Sequence, residues 1–80
     1  MLQPEDNTIG REISNHVVID DNKISKTHAV LHVSNENCWI KDVGSSNGIY
    51  VNGQKIALQK SVMHGSLLKL GSTIMRFELH

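Results

Sequence analysis

Residues 47–53 read Asn47-Gly48-Ile49-Tyr50-Val51-Asn52-Gly53, and this stretch decides the fold class. Ile, Tyr and Val suit a pleated strand, and each Asn-Gly pair suits a turn that needs positive φ. So short a strand, closed at both ends, belongs to a chain of tight turns. Working back from it, Cys38–Val43 reads as a strand with Cys38 and Ile40 inward. In 28–33, Ala29, Leu31 and Val33 share one face while His28, Val30 and His32 share the other. Further back, Ser25–Thr27 is an irregular link and Asp21-Asn22 a turn signal. Thr8–Glu12 and His16–Asp20 are short and rich in β-branched residues. Working forward, Gln54–Leu58 continues as a strand, although Ile56–Met63 also suits a turn of helix. Ser66–Leu70 and Thr73–Leu79 close the chain around Gly71-Ser72, with Met75, Phe77 and Leu79 on one face. Eight or so such strands predict an all-β fold, a β-sandwich of short antiparallel strands. Residues 1–8, with Pro4 and the Glu5-Asp6-Asn7 run, read as a polar lead-in, leaving 9–79 as one domain.

The composition agrees. The 80 residues include eight Ile and seven Val against two Ala, a bias toward strands. A chain of this size buries only about 60% of its unfolded surface, so its core is small. Eight basic and eight acidic residues give zero formal charge and are mixed along the chain. That excludes a general nucleic-acid or membrane-surface protein, which carries a basic block or stripe. No apolar run is long enough for a signal peptide or a membrane span. Cys38 is the lone cysteine, so no internal disulfide forms, and the expectation is a cytoplasmic protein with a buried structural thiol.

Three stretches carry chemistry: Gly10-Arg11, Ser25-Lys26-Thr27-His28 and Gly44-Ser45-Ser46-Asn47-Gly48. Arg11 follows a glycine at a strand end, and a guanidinium can meet two phosphate oxygens at once. Ser25 offers a hydroxyl and a loop N–H, Lys26 a point charge, and Ser46 a second hydroxyl from a separate loop. A charge-assisted hydrogen bond of this kind is worth about 1.5–3 kcal/mol. Asn47 both donates and accepts, which suits the backbone of an extended peptide. Each stretch alone has an ordinary reading: a bulge glycine beside a solvated arginine, a loop serine near a half-buried histidine, a hairpin turn. The joint pattern is far more specific than its parts.

That pattern resembles the forkhead-associated (FHA) domain, a phosphothreonine-peptide binding module of FHA/SMAD-like β-sandwich fold with binding loops at one end. FHA domains typically show Gly-Arg, Ser-x-x-His, Gly-Ser-x-Asn-Gly, Asn-Gly and a late Leu-x-x-Gly before two closing strands. This chain has each in order from about Thr8 to Leu79, with Val62-Met63-His64-Gly65 and Leu70-Gly71 at the end. By resemblance, Arg11 and Ser25 contact the phosphate, and Lys26 adds a phosphate or peptide contact. Ser46 stands where Thr is commonest and keeps the hydroxyl, while Asn47 holds the peptide main chain. His28 matches the family's structural histidine, bracing the loops with Gly10 and Gly48. The residue two before the motif serine, Lys23 here, often helps select the side chain three after the phosphothreonine, and its charge implies an acidic preference. Two departures stand out. Ser66 replaces the Asp that often follows the late Gly. The family also has a full strand before the Ile-Gly-Arg segment, whereas only eight residues precede Ile9. Either the sequence is trimmed, or that strand is absent or supplied by a partner, and the unpaired edge would open a route to a homodimer.

Other chemistries fit less well. His28 and His32 lie ~13 Å apart along a strand, too far to share a metal ion, and the other histidines lack ligand spacing. Gly44–Gly48 lacks the Gly-Lys-Ser/Thr ending and following helix of a nucleotide loop. A hydrolase built on Ser25 and His28 has no evident orienting acid or oxyanion loop. The reading is thus a non-enzymatic phosphothreonine-dependent adaptor with no cofactor and no metal. The alternative is the same fold serving as a phosphate-independent assembly domain.

Overall fold

The computed structural model describes residues 5–34 and 37–78, which form nine strands and no helix. In chain order these are β1 Glu5–Gly10, β2 Val17–Val18, β3 Ala29–Val33, β4 Cys38–Asp42, β5 Ile49–Val51, β6 Gln54–Lys55, β7 Gln59–Ser61, β8 Leu67–Leu70 and β9 Thr73–Arg76. They make a five-stranded sheet, β2-β1-β3-β4-β7, facing a four-stranded sheet, β6-β5-β8-β9. Every pairing is antiparallel except β1 with β2, where Ile9 lies opposite Val17.

Strand alternation supplies the core. Ile9, Ala29, Leu31, Cys38 and Ile40 point inward from the first sheet. Ile49, Val51, Leu68 and Leu70 meet them from the second, with Ile24, Ile56, Val62 and Phe77 filling in from the connections. Burying each such aliphatic side chain is worth about 1.5–3 kcal/mol. The Asn52-Gly53 turn joins β5 to β6 with φ of 50° and 85°, both in the region that Asn and Gly tolerate.

Four local expectations change. Residues 5–8, read as part of a lead-in, begin β1, whose Glu5–Ile9 pair with Ala29–Val33. Asn7 is buried there, with Nδ2 donating to the Leu31 carbonyl at 3.4 Å, so a polar-looking run was a strand with a satisfied amide. The remainder of that run, residues 1–4, lies outside the described residues, as does Leu79. Gln54–Leu58 does not continue as one strand, and Ile56–Met63 forms no turn of helix. The chain leaves β6, crosses to the other sheet as β7 on the edge beside β4, and returns through Val62. His28 turns inward rather than facing out with His32, because it precedes β3 and its ring is hydrogen-bonded inside.

Candidate functional site

The end of β1 and the connections β2–β3 and β4–β5 meet at one end of the sandwich. Gly10 makes the first junction. Beyond it the Arg11 N–H donates to the Ser25 carbonyl at 3.1 Å and the Glu12 N–H to the Lys26 carbonyl at 3.2 Å. A Cβ at Gly10 would collide with that Lys26 carbonyl and the Asn15 amide, so only glycine permits the approach. Asn15 Nδ2 then donates to the carbonyls of Glu12 at 2.9 Å and Lys26 at 2.6 Å, locking the loop after β1.

His28 makes the second junction. Its Nδ1 accepts the Ser25 N–H at 3.1 Å, which places the ring proton on Nε2, 2.9 Å from the Gly48 carbonyl. The fully buried imidazole therefore ties the β2–β3 loop to the β4–β5 loop. A third tie lies nearer the surface, where the Ser46 N–H donates to Ser25 Oγ at 3.1 Å.

Asp42 shapes the β4–β5 loop. Its Oδ1 accepts the N–H groups of Gly44 at 2.9 Å and Ser45 at 2.8 Å, and its Oδ2 accepts the Ser45 hydroxyl. Ser45 Oγ in turn accepts the Gly48 N–H at 3.1 Å, closing the loop on itself. Gly44 and Gly48 carry φ of 121° and 83°, which side-chain-bearing residues rarely adopt. Burial pushes the Asp42 carboxyl up, but the Ser45 hydroxyl and the Ser45 and Gly44 N–H groups outweigh it and hold the group below its ordinary range.

Arg11 Nε donates to the Ile24 carbonyl at 3.1 Å, leaving the paired Nη donors of an exposed guanidinium. Asn47 Nδ2 donates to the Lys23 carbonyl at 2.8 Å. Arg11, Ser25, Ser46 and Asn47 thus join one hydrogen-bonded loop cluster. Lys26 stands apart from them, with Nζ 3.8 Å from Glu12 Oε1; both side chains are exposed, so this ion pair contributes little. Lys23 holds its place through its backbone while its side chain faces solvent. Ser66, the departure after the late Gly, shapes its own turn by accepting the Met63 N–H on Oγ at 2.9 Å.

Asn15, Asp21 and Asp42 were not singled out as site residues. Asp42-Val43-Gly44 did carry a signal, since an Asp two residues before a Gly in a loop commonly closes a turn on its own side chain. Asn15 carries none, because its partners come from a distant loop. Chemically the cluster concentrates N–H, hydroxyl and guanidinium donors, suited to holding an anion. His28 contacts the Ser25 backbone rather than its hydroxyl, so it does not sit as a general base for that oxygen. Among the described residues no group of three His, Cys, Asp or Glu side chains gathers to hold a metal ion.

A family model described as "FHA domain" matches residues 7–71. The mouse (Mus musculus) protein "Angiogenic factor with G patch and FHA domains 1" is 34% identical over 91% of this chain and 12% of its own length. The Mycolicibacterium smegmatis "FHA domain-containing protein FhaB" is 30% identical over 84% of this chain and 43% of that protein. The chain therefore spans less than half the length of either relative. Among solved structures, Mycobacterium tuberculosis EmbR in complex with a low affinity phosphopeptide superposes with a TM-score of 0.91 at 30% identity. That match covers 96% of this chain and 20% of EmbR.

Proposed function

The chain belongs to the FHA domain family, and from that premise we propose that it captures phosphothreonine-containing peptides at the loop end of its sandwich. The observation that carries this is the joining of three loops into one donor cluster, with Ser46 N–H on Ser25 Oγ and Arg11 and Asn47 anchored on neighbouring carbonyls. Those anchors orient the groups before a ligand arrives, which lowers the ordering cost of binding. Arg11 presents its Nη fork to the phosphate, with the Ser25 and Ser46 hydroxyls alongside. Lys26 exchanges its weak, solvated partner Glu12 for the phosphate. Asn47 pairs with the peptide backbone, and Lys23 favours an acidic residue three positions after the phosphothreonine. The EmbR complex supports this assignment, since a related domain with the same fold was solved with a phosphopeptide bound.

Function here is binding without turnover, supported by the His28 ring, whose nitrogens hold the Ser25 N–H and the Gly48 carbonyl rather than the Ser25 hydroxyl. The partner in this reading is a protein phosphorylated on threonine by a kinase, a chemistry that supports an intracellular setting for this domain. No helix among the described residues is long and apolar enough to cross a membrane. Calorimetric titration with a degenerate phosphothreonine peptide pool tests the proposal, with unphosphorylated and phosphoserine pools as controls. Saturable binding of the phosphothreonine pool alone is expected. A folded protein that binds none of the pools would instead be an assembly domain.

A further inference from the structure

Asp21 lies outside the groups assigned to the ligand, yet the segment that anchors two of them hangs on its carboxylate. Its Oδ1 accepts the Lys23 N–H at 2.9 Å. Its Oδ2 accepts the Ser72 N–H at 2.8 Å and the Thr73 hydroxyl at 2.7 Å. Ser72 lies in the β8–β9 turn and Thr73 opens β9 of the opposite sheet, so one carboxylate fastens the β2–β3 loop across the sandwich. The approach is close. A Cβ at Gly71, where φ is +59°, would lie 2.9 Å from Ile24 Cγ1 and 3.0 Å from the Lys23 carbonyl carbon. Ile24, at 1% exposure, anchors the same segment in the core.

Two successive carbonyls leave this fastened segment. The Lys23 carbonyl takes Asn47 Nδ2 and the Ile24 carbonyl takes Arg11 Nε. We infer that Asp21 is a positioning residue for phosphopeptide capture: by clamping Lys23 to the β8–β9 turn it fixes the carbonyls that aim Asn47 and Arg11. The inference rests on the capture reading above, and it extends the binding machinery to Thr73, a residue of the opposite sheet. A carboxylate suits the task because three donors converge on it. An amide has one acceptor oxygen and would turn its own N–H groups toward one of the backbone N–H donors. The Lys23 N–H and the Thr73 hydroxyl, opposed by burial and joined by the Ser72 N–H and the Lys23 charge, hold the carboxyl below its ordinary value, so it is ionised at neutral pH.

The test uses Asp21→Ala, Asp21→Asn and Thr73→Val, each read in two ways. The first readout is the NMR signal of the Asn47 side-chain amide in the free protein, which needs no ligand. The second is calorimetric affinity for the tightest phosphothreonine peptide selected from a degenerate pool. Asp21→Ala should weaken binding about tenfold, the equivalent of one to two hydrogen bonds. Thr73→Val should weaken it by a smaller factor, and Asp21→Asn should recover part of the Asp21→Ala loss. In each variant the Asn47 amide should shift and exchange faster with solvent. Combining Asp21→Ala with Thr73→Val should cost no more than Asp21→Ala alone, because both cut one link. Should Asp21→Ala fail to fold, Thr73→Val, which leaves the carboxylate in place, decides the matter. Folded variants with wild-type affinity, or with lost affinity but an unchanged Asn47 signal, would overturn the inference. A wild-type protein that binds no phosphopeptide would sink the capture reading, and the Asn47 signal would still decide whether Asp21 positions that amide.

Discussion

In the proposed capture Arg11 would meet its ligand already oriented, because its own Nε is held by the Ile24 carbonyl. Replacing it would remove the proposed phosphate fork without opening the core. Arg11→Ala should therefore abolish measurable phosphopeptide binding while the thermal midpoint stays within a few degrees of wild type. A mutant that unfolds instead would make Arg11 structural. Arg11→Lys keeps the charge but loses the planar fork, so it should rescue little. Gly10 behaves in the opposite way. Gly10→Ala drives a Cβ into the Lys26 backbone, and such overpacking costs about 1–3 kcal/mol. In a domain this small each kcal/mol moves the midpoint by about 4–8 °C, so a melting curve that matched wild type would refute the close approach.

The β4–β5 connection shows how an element is tuned by one carboxylate. Its hydrogen bonds to Ser45 and Gly44 hold Asp42 below the ordinary aspartate value, so just under that value the unfolded chain binds more protons than the folded one. The stability it contributes is present above its unfolded pKa and lost as the pH falls through the lower folded one. Acid titration of the thermal midpoint should accordingly fall less steeply in Asp42→Ala than in wild type; equal slopes would remove Asp42 from the account. The β2–β3 connection depends on His28 in the same way. His28→Ala strands the Ser25 N–H and the Gly48 carbonyl, and an orphaned buried group costs about 1–3 kcal/mol. Much of this level was legible from local pattern. The alternation of Ala29, Leu31 and Val33, and the two Asn-Gly turns, marked strands and their ends. The path of residues 56–63 was not, since a short exposed strand such as Gln59–Ser61 has no apolar face to betray it.

At the scale of the molecule, the second sheet ends on β9, whose Ile74 side chain is 65% exposed beside a shallow groove lined by Tyr50, Gly53, Leu67 and Lys69. An edge strand that presents an exposed isoleucine is a template for another strand. Sedimentation should show concentration-dependent self-association that Ile74→Lys removes, and a wild-type protein that stays monomeric at high concentration would exclude this edge. By itself the sequence determined the fold class, the family and the order of Gly10-Arg11, Ser25 to His28 and Gly44 to Gly48. Strand alternation, turn chemistry and donor type are written in adjacent residues. Tertiary structure alone decided that residues 5–8 begin a strand, that Asn15 braces two loops, and that Asp21 fastens to Ser72 and Thr73. Such ties join positions up to 52 apart, and no local pattern encodes them because each depends on where the other sheet comes to rest.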